Sequence, residues 1–322
     1  MVKLGYKLMS EEHGPKALVT NAVRAEEVGM DFAAISDHFF PWVEEQGHSP
    51  LCWPVLGAIA QATTKLDLMT AVTAPVMRYH PAIIAQAAAT TGLLCDDRFT
   101  LGLGSGERLN EHVVGLGWPG IVERRERLSE AIDIIQGLLA GTMTNYRGKY
   151  FLLDNAKLYD RPAKKVPVAV AAGGPKAAKL AATKADGFIS TEADPKLTGA
   201  YRDAGGKGPT VAEVALCWDD NAERAKQTAH KYFRWAFLGG WAVNGELPDT
   251  KGFGGASQHV TPEFVASKMV CGADVKAHVD AVAKFIQAGY DHIILLQVGP
   301  EQEAFFKAFE KELAPEMRKL KG

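Results

Sequence analysis

The segment Ile35-Ser36-Asp37-His38-Phe39-Phe40-Pro41-Trp42 ends a strand-like apolar run in an acid and an imidazole, then rings them with aromatics. Imidazole titrates near neutral pH, so His38 can take a proton from an alcohol and give it back. Phe39, Phe40 and Trp42 would wall a flat ring. Successive strand residues point to opposite faces, so Asp37 and His38 would serve different partners. The plainer alternative is a hydrogen-bonded core histidine beside a turn-capping acid. Gly102-Leu103-Gly104-Ser105-Gly106-Glu107 is the second candidate. Its glycines let backbone approach a ligand closely, and Glu107 would reach the same space. It is not a dinucleotide fingerprint, because the third glycine and the distant acid are missing. The third candidate, Ala171-Ala172-Gly173-Gly174-Pro175-Lys176, puts free N–H groups at a helix start, which suits an anion. Ala71–Pro75 and Arg78–Pro81 read as an irregular loop restrained by two prolines.

Something must bring these stretches together. Eight apolar runs read as strands: Val2–Lys7, Phe32–Ser36, Leu66–Val72, Phe99–Gly104, Val166–Ala171, Gly187–Ser190, Val211–Trp218 and His292–Gln297. Most are apolar on both faces, as parallel strands covered by helices are. Leu128, Ala131, Ile132, Ile135 and Leu139 form one helix face before Gly141, and Val275–Ala288 is a helix stopped by Gly289. Eight alternations predict an α/β fold, a (β/α)8 TIM barrel forming one domain over residues 1–322. A doubly wound sheet is the alternative. Two segments interrupt the pattern: a hairpin over Tyr146–Asp160, after strand four, and a glycine-rich stretch, 238–262, after strand seven. The second, with no regular period, reads as a lid or a subunit contact. Barrel active sites sit at the C-terminal ends of strands, where all three candidate stretches fall.

The chain has 322 residues, 47% hydrophobic and 23% charged, with a formal net charge of −2. That balance gives no basis for binding nucleic acid or an anionic membrane. Cys52, Cys95, Cys217 and Cys271 lie far apart, with no metal-ligand spacing, which fits a reducing cytoplasm. No metal is expected, and no apolar run is long enough to span a bilayer.

"SDHFFPW", "RYHPAIIAQAAAT", "LGLGSGERLNE", "YRGKYF", "VAVAAGGPKAAKLA" and "ADGFIST" together resemble the luciferase-like family of flavin and deazaflavin oxidoreductases. Within it, the chain is most similar to the branch containing the F420-dependent glucose-6-phosphate dehydrogenases. The resemblance covers nearly the whole chain and implies a luciferase-like barrel, coenzyme F420, a small-molecule substrate and a homodimer. It implies that His38 is the acid/base group, that Trp42 orients the substrate and that Glu11 lines its pocket. Glu107 would exchange the proton at N1 of the deazaflavin. Asp37, Ala74, Ser105 and Asn110 would hold the cofactor, Ala71-Val72 would form a cis peptide behind its ring, and Ala172, Gly173 and Gly174 would face its phosphate through backbone N–H groups. Sugar-phosphate members carry basic residues at three positions that here align with Asp194, Ser267 and Asp291. A phosphate wants fixed positive donors, so an alcohol or neutral sugar is the expected substrate. The alternatives are a sugar-6-phosphate dehydrogenase with a rearranged phosphate site, an FMN-dependent monooxygenase and a non-catalytic F420-binding protein.

Overall fold

The computed structural model describes residues 2–321. Its strands are β1 (Lys3–Leu8), β2 (Phe32–Ile35), β3 (Asp67–Thr70), β4 (Phe99–Leu103), β5 (Thr144–Arg147), β6 (Leu152–Ala156), β7 (Val168–Ala171), β8 (Gly187–Ser190), β9 (Thr210–Cys217), β10 (Val270–Cys271) and β11 (His292–Gln297). Eight of them, β1-β2-β3-β4-β7-β8-β9-β11, close into a parallel ring through the β8–β9 and β11–β1 pairings. This is the α/β barrel that the alternation predicts. Antiparallel β5 and β6 form the hairpin after β4, turned by the Gly148 N–H on the Phe151 carbonyl at 2.9 Å. Among the described residues no helix is long and apolar enough to cross a membrane.

Alternation along β1 shows how the layers form. Leu4, Tyr6 and Leu8 join the outer core beneath the helices. Gly5 and Lys7 take the other face. A Cβ on Gly5 would sit 2.5 Å from the Phe32 ring, so the smallest residue of β1 makes room for the largest of β2. Phe32, Ala34, Met69, Ala169, Ile189, Val211 and Ile294 fill the barrel. Toward the C-terminal mouth the filling turns polar: Lys7 Nζ lies 2.7 Å from Glu213 and donates to the Ala71 carbonyl at 2.8 Å.

β8 pairs with β9 only over Thr210–Ala212, and the far end of β9 takes β10 instead. The strands therefore part at the mouth, and the segment between β9 and β10 fills the opening. Within 238–262 the chain is more regular than its composition suggests. Helices Trp241–Asn244 and Thr250–Ala256 form there, the second capped by Asp249 on the Gly252 N–H at 2.7 Å. The buried Phe253 anchors it, a tertiary contact that overrides the weak helix propensity of glycine.

Candidate active site

His38 lies just past β2, with its ring fixed at both nitrogens. Nδ1 donates to the Phe40 carbonyl at 3.1 Å, which leaves Nε2 to face Glu11 Oε1 at 3.3 Å. Glu11 follows β1 and is buried. Ser36 donates to its Oε2 at 2.5 Å. Burial works against its charge, but His38, Lys7 and Ser36 outweigh it and hold the carboxyl below its ordinary range. The carboxylate partner of His38 is thus Glu11, from another strand, and not the adjacent Asp37. The Trp42 ring lies 4.9 Å from the His38 ring.

Asp37 is used differently. Its carboxylate accepts from the Thr73 hydroxyl, from Arg78 at 3.0 Å and from Tyr79 at 3.4 Å, with no side-chain exposure. Arg78 also bonds the Asp37 carbonyl at 2.9 Å, and its backbone N–H donates to Glu111 at 2.8 Å. Asn110 accepts the Phe39 and Phe40 N–H groups at 2.8 and 3.3 Å and donates to Glu107 at 3.4 Å. Asp37 and Asn110 therefore bind the β2 loop to the β3 and β4 loops, and spend their side chains within the protein.

The cis peptide sits between Ala71 and Val72. Glycine is required on the facing strand: a Cβ at Gly104 would lie 2.5 Å from Val72 Cγ2, and one at Gly102 would lie 1.9 Å from the Thr70 carbonyl oxygen. Gly106 adopts φ +74°, and a Cβ there would lie 2.8 Å from Glu111 Cγ and 3.2 Å from Ala74 Cβ. Ser105 and Glu107 lie half-buried beside this floor. Across the mouth, Gly173 and Gly174 offer N–H groups with no partner among the described residues. Ala172 does not, because its N–H donates to the Ile189 carbonyl at 2.9 Å. That corrects its expected role: the N–H is spent on β8 and is not free for a phosphate.

An aromatic wall closes over these groups. Trp42 stacks on Trp235 at 4.1 Å and 6°, and Phe253 meets it edge-on at 5.1 Å. Trp241 lies 6.4 Å from Trp42 and 3.2 Å from the place of a Gly173 Cβ. The segment carrying these rings is tied to both site loops, by the Arg108 N–H on the Gly245 carbonyl at 3.1 Å and by Arg234 on Glu45 at 2.7 Å.

The three residues expected in a substrate pocket do not assemble one. Asp194 caps the helix Pro195–Asp203, accepting the Lys196 N–H at 2.9 Å. Ser267 is exposed and turns its hydroxyl back on the Phe264 carbonyl of its own helix at 2.7 Å. Asp291 lies at the opposite end of the barrel. It precedes β11, accepts the Thr210 N–H at the start of β9 and pairs with His292 at 2.6 Å. Six strand residues, about 20 Å at the usual rise, separate it from the mouth, so it is corrected to a structural acid.

The description Luciferase-like monooxygenase matches residues 2–292. The chain belongs to the luciferase-like monooxygenase family. It is 36% identical to an F420-dependent glucose-6-phosphate dehydrogenase of Microbacterium testaceum, over 99% of this chain and 98% of that one. It is 37% identical to another bearing that name from Mycolicibacterium gilvum, over 99% of both. A solved F420-dependent secondary alcohol dehydrogenase, in complex with an F420-acetone adduct, superposes with a TM-score of 0.90 at 27% identity, covering 98% of this chain and 99% of that one. A coenzyme F420-dependent tetrahydromethanopterin reductase from Methanopyrus kandleri shares the fold, with a TM-score of 0.80 at 21% identity over 98% of this chain and 99% of that one.

This luciferase-like barrel also buries acids that the sequence reading passed over. Glu12 accepts the Gly299 N–H at 2.7 Å and the Gln46 side-chain amide at 3.3 Å. Burial pushes its carboxyl up to about 8, against those two bonds. Burial likewise lifts Glu111 to about 7 and drops His13 to about 4. A raised acid holds in the fold a proton that the unfolded chain has released, so stability falls as pH climbs toward the folded value. A lowered histidine acts the other way, but only below about 6.5, its unfolded value. Between pH 6.5 and 8, Glu12 therefore dominates. Urea unfolding should show a loss of roughly 1–2 kcal/mol across that interval, and Glu12→Gln should flatten it. A flat wild-type profile would remove Glu12 from the account.

Proposed function

We propose that this protein is an F420-dependent oxidoreductase that interconverts an uncharged carbinol and its carbonyl. The observation that carries this reading is His38, held by the Phe40 carbonyl with Nε2 on Glu11 and its ring against Trp42, at the mouth of the barrel. The acetone adduct of the 27% identical alcohol dehydrogenase supports a carbinol substrate.

The residues present fit a deazaflavin. Val72, packed on bare Gly104, gives an apolar backing for a flat ring. Ser105 and Glu107 would meet its polar edge, and the N–H groups of Gly173 and Gly174 its phosphate. Bound F420 would supply the chemistry of accepting or returning a hydride. His38 Nε2 takes the carbinol O–H proton as the carbonyl forms, and returns it in the reverse direction. The Glu11 carboxylate, 3.3 Å away, stabilises the resulting imidazolium. Glu107 would hold the balancing proton on the cofactor side. Trp42, backed by Trp235 and Phe253, would exclude water beside the substrate.

A second reading, glucose 6-phosphate as substrate, is favoured by the 36–37% identity to dehydrogenases of that name. Fluorescence titration should give micromolar or tighter binding of F420 and weak binding of FMN; equal affinities would count against the cofactor assignment. With F420 present, a small secondary alcohol should turn over with a higher kcat/KM than glucose 6-phosphate. The reverse order would decide for the sugar phosphate. The proposal includes a homodimer, for which exposed Leu51, Ile83, Leu93 and Leu94 offer apolar surface and sedimentation gives the readout.

A further inference from the structure

The wall residue Trp42 is held by more than its ring contacts. Its backbone N–H donates to Gln46 Oε1 at 2.8 Å, and the Val43 N–H shares that oxygen at 3.4 Å. Gln46 then donates through its amide nitrogen to Glu12 Oε1 at 3.3 Å, while Glu12 Oε2 accepts the Gly299 N–H at 2.7 Å. Glu12, Gln46, Trp42 and Val43 are all at most 6% exposed, so water does not substitute for a lost partner. The chain of bonds links the ends of three barrel strands, with Glu12 past β1, Gln46 past β2 and Gly299 past β11.

We propose that Glu12 and Gln46 act as a positioning pair that holds the Trp42 loop in its working place at the substrate pocket. The direction of the bonds makes the pair specific. The Gly299, Trp42 and Val43 N–H groups are main-chain donors and cannot turn around. Only the Gln46 amide can flip, and it must show its oxygen to Trp42 and Val43. Its NH2 then needs an acceptor, which the second oxygen of Glu12 supplies. A buried pair with this polarity sets the loop carrying His38 and Trp42 as one piece. The functional consequence rests on the reading of those two residues as the substrate-facing groups.

A swapped pair tests it. Glu12→Gln alone has one oxygen, which Gly299 takes, so its new NH2 faces the NH2 of Gln46 and forces a flip against two N–H groups. Gln46→Glu alone sets two buried carboxyl groups together, which repel unless they share a proton. Combined, the changes restore every bond: the amide at position 12 accepts from Gly299 and donates to the carboxylate at position 46, which accepts from Trp42 and Val43. The three variants are compared at pH 8.5, where Glu12 carries its charge, by hydrogen exchange of the Trp42 and Val43 amides and by kcat and KM with a secondary alcohol. Glu12→Gln should speed exchange at both amides by about tenfold or more and lower kcat comparably, whereas Gln46→Glu should do so only at pH values high enough to strip the shared proton from the acid pair. The double variant should return both to within about threefold of wild type. A single variant that fails to fold while the double folds supports the pair in the same way. A double variant no better than the worse single, or unfolded, overturns the proposal. Exchange needs no substrate, so rescue of the amides without any alcohol turnover would keep the pair and reject the alcohol reading.

Discussion

His38→Ala is expected to lower turnover with a secondary alcohol by two to four decades, on the order of what a positioned general base contributes, while F420 binding stays within a few-fold of wild type. With Nδ1 spent on the Phe40 carbonyl, Nε2 is the nitrogen free to accept a proton, and Glu11 at 3.3 Å stabilises the product charge. Alanine leaves Glu11 as the nearest group. Its carboxyl is held below the ordinary range, so it is a poor base for an alcohol. The cofactor groups expected at the Val72 floor and at Gly173 do not touch His38, which is why binding should survive. Glu11→Gln should fall between the two, because the base remains but loses its counter-charge. Stopped-flow kinetics and fluorescence titration on the same preparations separate the effects. A His38→Ala enzyme with wild-type kcat would show that the proton leaves by another group.

The largest stability effect should come from Arg78. Its guanidinium is 8% exposed and sits between Asp37, with no exposure, and Glu111, at 1%. Taking away the cation leaves a buried carboxylate with neutral donors such as the Thr73 and Tyr79 hydroxyls and no counter-charge. Removing one member of such a pair typically costs about 3–5 kcal/mol. Arg78→Ala should lose about that much in denaturant unfolding, and F420 affinity should fall with it, because the same loop carries Val72. Arg78→Lys should recover part of the loss, since it restores charge without the second donor to the Asp37 carbonyl. A loss below about 1 kcal/mol would contradict the ion-pair argument.

The barrel was legible because its strands are short apolar runs bounded by glycine and polar turns, and because helix faces such as Leu128–Ile135 keep a 3.6-residue period. His38, Trp42, Glu11 and Glu107 could be placed once strand ends were known. The groups that hold them could not. Arg78 meets Asp37 from 41 positions away and Glu12 meets Gly299 from 287, and no local pattern announces either. Trp235 stacks on Trp42 from 193 positions away, in the short turn of helix Arg234–Phe237. The placement of Asp291 is a different kind of miss. It stands immediately before the run His292–Gln297, so the strand direction alone assigns it to the end of the barrel opposite the mouth, and it cannot line a pocket there.

With an uncharged carbinol as substrate, its C–H bond would supply the hydride to F420 while His38 takes the O–H proton. The most direct measurement is a single turnover with excess enzyme, F420 and 2-propanol deuterated at the carbinol carbon, followed by mass analysis of the reduced cofactor. One deuterium in the cofactor is expected, with acetone as product and a rate slowed by the label but restored with ordinary 2-propanol. Reduced cofactor without deuterium, or no reduction with any uncharged alcohol alongside rapid reduction by glucose 6-phosphate, would contradict it.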